Sequence, residues 1–305
     1  MNALKLFSVL LIFFQINLCI GQKKLRNDVL LQEKLETICK DFEGQVGIYI
    51  ENLKTGKFAA LNQDSLFPTA SMIKVPIMVG IFSKILDGKI NYSDELIYRD
   101  SIKYDNGITG SLKDSSNVPL GEAILLMETL SDNTASLWLQ SIADGAQINK
   151  LMDSLGLFSI KVNSRVKGRE SFRKTFGWGM TTPKDMAILM KKLRLGEVLS
   201  KDASNRMYRT LGNQYWDGEG LSQIPEYVKT GCKTGAVDRS RSEVTFVHAP
   251  SGDYVYCIVT KNQKDTTYQR NNEGFTLIRN VSALIYNHFE PKSNWKPVIG
   301  YEKWF

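Results

Sequence analysis

The spacing of apolar positions divides this chain into strand-rich ends and a long helical middle. Apolar residues at helical spacing predict helices at 27–42, 72–87, 120–129, 133–143, 146–155, 183–194 and 270–288. Short runs bounded by turn residues predict strands at 45–50, 57–61, 227–234, 242–248 and 254–261.

The order of these elements predicts an α+β fold. The simplest packing is an antiparallel sheet built from both ends of the chain, about 22–65 and 212–288, with residues 66–211 inserted as a helical lobe. A site is expected in the cleft between the two lobes. The remaining residues, 289–305, form an aromatic tail.

The first 21 residues differ from the rest of the chain. An apolar run at 6–18 follows Lys5, and the small residues Cys19 and Gly21 stand where a signal peptidase reads. We predict a signal peptide over 1–21 and export to the periplasm or cell envelope. The run is shorter than the roughly 20 residues needed to span a bilayer, which makes an uncleaved anchor the weaker alternative. Lipid attachment at Cys19 is weaker still, because bulky Leu18 precedes it.

Composition narrows the range of partners. The net charge of +7 is spread along the chain, as on a solvated surface, and does not indicate nucleic-acid binding. Two distant histidines, His248 and His288, cannot form a His-rich zinc site, and no glycine-rich phosphate loop is present. We therefore expect no metal or cofactor, and a monomer without a stable membrane span. The mature chain keeps Cys39, Cys232 and Cys257, an odd number that forbids full pairing.

The first candidate for chemistry is the segment Ser71-Met72-Ile73-Lys74, at the start of a predicted helix. Lys74 is one helical turn after Ser71 and therefore shares its face. A serine hydroxyl becomes a nucleophile when a base takes its proton, and a lysine can be that base when burial lowers its pKa. The alternative is a helix-capping serine followed by a surface lysine.

Two further motifs favour the catalytic interpretation. Ser131-Asp132-Asn133 stands between two predicted helices, where Ser131 could shuttle a proton and the Asn133 amide could hold a substrate carbonyl. Lys233-Thr234-Gly235 ends a predicted strand, where the lysine could face the cleft. Each motif alone also fits a cap or a turn, but the three together in this order indicate one site.

These motifs resemble those of class A serine β-lactamases, within the penicillin-recognising serine enzymes. The resemblance covers roughly residues 28–288, and the spacing of 60 residues from Ser71 to Ser131 is also similar. It implies a five-stranded antiparallel sheet flanked by helices, with an inserted helical lobe. It also implies that Ser71 forms an acyl-enzyme, that Lys74 helps to activate it, and that Ser131 passes a proton to the leaving nitrogen.

The resemblance also implies the binding roles. Lys233 and Thr234 would bind the substrate carboxylate, with Arg241 or Arg239 assisting from the next strand. Backbone N–H groups of Ser71 and Ala236 would form the oxyanion hole. The implied substrate is a β-lactam or a peptide that ends like D-Ala-D-Ala.

The sequence departs from the family at the step that releases the acyl group. Class A enzymes carry a Glu-x-x-Leu-Asn glutamate where this chain has Val166, and an orienting asparagine where it has Leu137. Glu170 is the nearest carboxylate. The main hypothesis is a β-lactamase-type hydrolase with an unusual deacylation loop. The alternatives are a penicillin-binding D,D-peptidase and a catalytically silent binding protein on the same scaffold.

Overall fold

A computed structural model describes residues 24–298, so the predicted signal peptide lies outside the described residues. Its strands are β1 Arg26–Asn27, β2 Gln45–Asn52, β3 Lys57–Leu61, β4 Phe67–Pro68, β5 Glu95–Ile97, β6 Asn117–Pro119, β7 Lys161–Val162, β8 Gly179–Thr181, β9 Thr230–Val237, β10 Ser240–Val247 and β11 Tyr254–Lys261. Its α-helices are α1 Val29–Cys39, α2 Lys74–Leu86, α3 Leu120–Thr129, α4 Asn133–Ala143, α5 Gly145–Ser154, α6 Glu170–Phe176, α7 Pro183–Leu195, α8 Lys201–Leu211 and α9 Glu273–Phe289.

The main sheet has the order β1-β3-β2-β11-β10-β9. Its five long strands pair antiparallel throughout, which confirms the predicted α+β fold. The structure adds a sixth strand that the sequence did not indicate. It is the two-residue β1, which runs parallel to β3 at the sheet edge and is too short to show a period-2 pattern.

Both faces of this sheet are covered, because successive side chains of a strand point to opposite faces. In β11, Tyr254, Tyr256 and Ile258 belong to the core beneath α1 and α9. Val255 and Cys257, which alternate with them, belong to the larger core on the helical side of the sheet. The strands at the two ends of the sequence therefore form the middle layer of the molecule.

Local chemistry explains where several helices begin and end. Asp132 caps α4 by accepting a hydrogen bond from the Ala135 N–H at 2.8 Å. Thr182 caps α7, where Pro183 occupies the first helical position and suits it because a proline needs no N–H partner there. Gly196 ends α7 with φ +80°, a conformation that glycine adopts without steric cost.

The middle of the chain is mostly helical, but it also holds two small sheets, β4-β8-β7 and β5-β6. Within residues 24–298, no helix is long and apolar enough to cross a membrane. Cys39, Cys232 and Cys257 are free thiols. Burial raises the pKa of the Cys39 thiol to about 12, which keeps it in the unreactive protonated form.

Candidate active site

Ser71 lies in a short 3-10 helix, Ala70–Ile73, which leads directly into α2. The residue before it, Ala70, has φ +45°, a backbone conformation that costs free energy for any residue except glycine. This strained turn places the Ser71 hydroxyl at the cleft instead of on the regular helix surface. The Lys74 ammonium nitrogen lies 2.9 Å from Ser71 Oγ.

Lys74 is completely buried, and its Nζ has four oxygen neighbours. Besides Ser71 Oγ, these are Ser131 O at 2.6 Å, Ser131 Oγ at 2.9 Å and Asn133 Oδ1 at 2.9 Å. Burial and the nearby Lys233 hold the pKa of Lys74 well below its usual value. A neutral amine fits these contacts as well as an ammonium group does, since it can donate to Ser131 O and Asn133 Oδ1 and accept from one of the two serine hydroxyls on its lone pair.

Ser131 stands between the two lysines of the site. Its backbone adopts φ +59°, and its Oγ lies 2.9 Å from Lys74 Nζ and 3.1 Å from Lys233 Nζ. The Asn133 amide is oriented by two contacts, from Lys74 to its oxygen and from its nitrogen to Asp105 Oδ2 at 2.8 Å. A proton can therefore move between Ser71, Lys74 and Ser131 without large rearrangement.

Lys233 was predicted at the end of a strand, and that prediction is wrong. It lies in the middle of β9, because residues up to Val237 continue to pair with β10. Lys233 is buried, and burial lowers its pKa to about 8, although the carboxyl of Glu128 acts in the opposite direction.

The backbone of Gly235 lies close to the backbone of Ser71. A Cβ atom at position 235 would lie 2.9 Å from the Ser71 nitrogen. Only glycine lets β9 approach Ser71 this closely.

The two arginine candidates bind backbone carbonyls in this structure. Arg241 is completely buried, lies between the rings of Tyr268 and Phe275, and donates to four carbonyl oxygens, including Thr267 O at 2.6 Å. Arg239 donates to the carbonyl oxygens of residues 262 and 263. A third arginine, Arg270, lines the cleft beside Ser131 and Thr234. The sequence did not single it out, since no motif contains it.

The cleft has two compartments that meet at Ser71. One, of about 530 Å³, is lined by Thr234, Ala236 and the aromatic side chains of Trp216, Tyr268 and Phe275. Trp216 is held over the cleft by a 2.9 Å hydrogen bond to the Leu130 carbonyl. Trp216 lies in the loop after α8, Tyr268 in the loop after β11 and Phe275 in the first turn of α9. Trp216 is distant in the sequence from the other two, so no spacing rule could have grouped all three.

The second compartment, of about 580 Å³, is basic. It is lined by Tyr104 and Trp178, whose rings meet edge to face, and by the side chains of Arg173, Lys174, Arg239, Lys261 and Asp238. None of the four cations forms an ion pair in the part of the chain that the structure describes. The compartment therefore carries an excess of positive charge next to Ser71.

The segment between β7 and β8 is anchored by contacts that the sequence did not reveal. Buried Leu137 takes no polar part, but buried Gln140, one turn later on α4, donates from Nε2 to the Ser164 carbonyl at 2.5 Å. Arg169 Nε donates to Asn163 Oδ1 at 2.8 Å within the same segment. Val166 packs against the start of α5 at Gly145.

Glu170, the carboxylate considered for deacylation, is exposed at the first position of α6. Its Oε1 accepts a hydrogen bond from the Gly168 N–H at 3.0 Å, and backbone hydrogen bonds lower its pKa. It does not line either compartment of the cleft. In this structure Glu170 therefore stabilises the loop at Gly168 and the start of α6, outside the cleft.

We therefore predict that Glu170→Gln changes the rate of acyl-enzyme breakdown by less than about threefold. A glutamine keeps the oxygen that accepts from Gly168, so the loop stays in place. The check is the deacylation rate of a penicillin adduct, followed by mass spectrometry. A loss of about a hundredfold, the size of a missing general base, would restore Glu170 as a catalytic candidate.

A nucleophilic serine against a buried lysine, with a second serine and a second lysine behind them, defines a serine acyl-transfer enzyme. The chain belongs to the β-lactamase enzyme family, whose family model matches residues 30–289. This confirms the resemblance to class A serine β-lactamases. The chain is a serine hydrolase of that kind.

Named relatives agree with this assignment. A β-lactamase called SME-1 from Serratia marcescens is 24% identical over 215 residues, which cover 67% of this chain and 70% of the relative. An imipenem-hydrolyzing β-lactamase from Enterobacter cloacae is 24% identical over 254 residues, 78% of this chain and 84% of the relative.

Solved structures show the same fold. The structure of PBP-A matches with a TM-score of 0.78 and 26% identity, covering 88% of this chain and 98% of that one. A point mutant of PBP-A, described as an acyl-enzyme complex with penicillin G, matches with the same TM-score, covering 88% of this chain and 99% of that one at 26% identity. A β-lactamase from Sphaerobacter thermophilus matches with a TM-score of 0.76 at 23% identity, covering 86% and 97%.

Proposed function

We propose that this chain opens β-lactam rings through an acyl-enzyme on Ser71. The observation that carries the proposal is the placement of Lys74 Nζ, 2.9 Å from both Ser71 Oγ and Ser131 Oγ. Neutral Lys74 takes the Ser71 proton as Oγ attacks the carbonyl carbon of the ring. The oxyanion that forms is bound by the backbone N–H groups of Ser71 and Ala236.

Collapse of this intermediate breaks the ring C–N bond. The leaving nitrogen takes a proton from Ser131 Oγ, and Ser131 recovers a proton from Lys74. The proton that Lys74 removed from Ser71 is thereby replaced on the product nitrogen. Lys233, Thr234 and the Asn133 amide bind the substrate carboxylate and side-chain carbonyl. Water then cleaves the ester and restores Ser71.

The direct test is penicillin G followed by stopped-flow absorbance and intact-protein mass spectrometry. The proposal predicts an adduct of one penicillin on Ser71 that is hydrolysed in repeated turnovers. A chain that forms no adduct is the silent binding protein, which would overturn the proposal. An adduct that persists for hours would favour the second candidate.

That second candidate is a penicillin-binding D,D-peptidase. This function is favoured because the segment 161–181 places no carboxylate in the cleft. Glu170 is exposed to solvent outside both compartments, and the Val166 side chain contacts Gly145. Without a positioned base, water attacks the ester slowly. Release of D-alanine from a peptide ending in D-Ala-D-Ala, together with a long-lived penicillin adduct, would select this function.

The basic compartment suggests acyl donors with an anionic side chain. We predict that the double variant Arg173→Gln/Lys174→Gln raises KM about tenfold for a penicillin that carries a second carboxylate. The reason is that the variant removes two positive charges that would attract this carboxylate. KM for penicillin G should change less than about twofold. The matched control is Lys167→Gln, an exposed cation of the same segment outside the cleft. Equal effects on both penicillins would contradict the prediction.

We also propose that residues 1–21 direct export and that the mature enzyme is a monomer in the periplasm or cell envelope. The support is the apolar run after Lys5 and the small residues before residue 22. Cell fractionation and the mass of the mature chain test the export. Size-exclusion chromatography with light scattering tests the monomer.

A further inference from the structure

Glu128 is a buried acidic side chain that the proposed reaction does not use. It lies near the end of α3, is completely buried, and neither of its carboxyl oxygens has a hydrogen-bond partner among the described residues. Its backbone oxygen accepts a long 3.4 Å hydrogen bond from Gln214 Nε2, which also donates to Cys232 O. Gln214 thereby links the end of α3 to β9, one residue before Lys233.

A carboxylate without hydrogen bonds is costly to bury unless charges nearby compensate for it. Two cations do so here, Lys74 from α2 and Lys233 from β9, and both act on Glu128. Burial raises the pKa of Glu128 to about 7, and the two lysines oppose that rise.

Among the described residues, Lys74 and Lys233 are the charged side chains that act on the Glu128 carboxyl, and Lys84, the other cation of α2, lies in the last turn of that helix. Helix α4 and strand β6 carry none, and the four charged residues of α8 are exposed at the surface. The other titratable groups that act on the lysine pair are Asp105 and Asp132, which affect Lys74, and the buried Cys232 thiol, which affects Lys233. Asp132 is already engaged in capping α4, and Asp105 in holding the Asn133 amide.

The lysine pair needs such a counter-charge. Lys74 and Lys233 are both completely buried, and both nitrogens contact the same oxygen, Ser131 Oγ. Two ammonium groups this close in a dry site repel strongly. The proposed reaction asks for different charge states, with Lys74 neutral to act as a base and Lys233 charged to bind a carboxylate.

We propose that Glu128 is a positioning residue that balances the charge of the Lys74–Lys233 pair and keeps Lys233 protonated while Lys74 acts as the base. Its carboxylate stabilises one positive charge shared by the two lysines. Because Glu128 lies in the protein interior and is not placed in the cleft lining, it acts through the lysines and not on the substrate. This role rests on the proposed function of Ser71.

The test is the pH profile of the second-order rate constant for acylation, which includes substrate binding, in the full mature enzyme. Glu128→Gln keeps the shape of the side chain and removes its charge, so both lysines lose protons more easily. The rising limb, set by Lys74, and the falling limb, set by Lys233, should both move about one unit to lower pH. At about pH 8.5, acylation by penicillin G should fall about tenfold, mainly through weaker binding.

Two controls separate this role from a structural one. Glu122→Gln removes an exposed carboxylate from the same helix and should leave both limbs in place. Glu128→Asp keeps the charge and should bring both limbs back toward those of the wild type. A folded Glu128→Gln enzyme that is slower at every pH, with unshifted limbs, would overturn the proposal.

An infrared titration tests the same idea without catalysis. The difference between the wild type and Glu128→Gln should contain the carboxylate band of Glu128 at the pH of the acylation assay. If the glutamine variant does not fold, Glu128→Asp should replace that band by an aspartate carboxylate band. A Glu128 carboxyl that stays protonated across the pH range of the acylation assay would carry no charge and would overturn the proposal. Because this signal needs no acyl-enzyme, it remains informative even if Ser71 is not acylated.

Discussion

Replacing Ser71 by alanine is expected to abolish the covalent penicillin adduct and to lower turnover by at least about four orders of magnitude. The fold should survive, since Ser71 is only partly buried and a methyl group fits its place in the 3-10 turn. Lys74 keeps three of its four oxygen contacts in this variant. The loss would therefore report the nucleophile and not a collapsed site.

Intact-protein mass spectrometry after incubation with penicillin G measures the first effect, and steady-state kinetics the second. Ser83→Ala, which removes a partly buried serine hydroxyl from the following helix α2, is the matched control and should keep full activity. If the Ser71→Ala enzyme formed the penicillin adduct in undiminished yield, the nucleophile would be a residue other than Ser71. Peptide mapping would then locate it.

Replacing Lys74 by methionine is expected to slow acylation about a thousandfold, the scale of a lost general base. Methionine is unbranched and of similar length, so it can fill the buried space of the Lys74 side chain, but it accepts no proton. The same change leaves Asn133 Oδ1 and Ser131 O without their donor, which adds to the loss. Lys84→Met, at the far end of α2, is the control.

The pH profile distinguishes a lost base from a disturbed site. Lys74 accepts a proton only when neutral, and burial beside Lys233 puts its pKa well below the usual value. Acylation by the wild type should therefore rise with pH through that lowered pKa and fall as Lys233, with a pKa of about 8, loses its charge. In Lys74→Met the rising limb should disappear and the falling limb should remain. A rising limb that survives would assign the base to another group.

Much of the fold could be predicted from the sequence because its determinants are local. Short runs bounded by turn residues predicted four of the five long strands to within two residues, and Thr182 with Pro183 marked the start of α7. The strand that contains Lys233 was displaced by about three residues. The end of β9 is set by its pairing with β10, which continues to Val237. The apolar pattern of β9 alone does not show where that pairing stops.

The sequence alone determined the nucleophile segment, the two other motifs and the family, because each is a short pattern of residue types with a fixed chemical use. Only the tertiary structure decided what surrounds them. In the structure, Arg241 donates to backbone carbonyls and Glu170 is exposed at the start of α6. Gln140 donates to the segment between β7 and β8, and the charges of two buried lysines act on Glu128. Those outcomes depend on burial and on contacts between residues far apart in the chain, and no local pattern encodes either. The free energy of a buried charge is set by its neighbours in space.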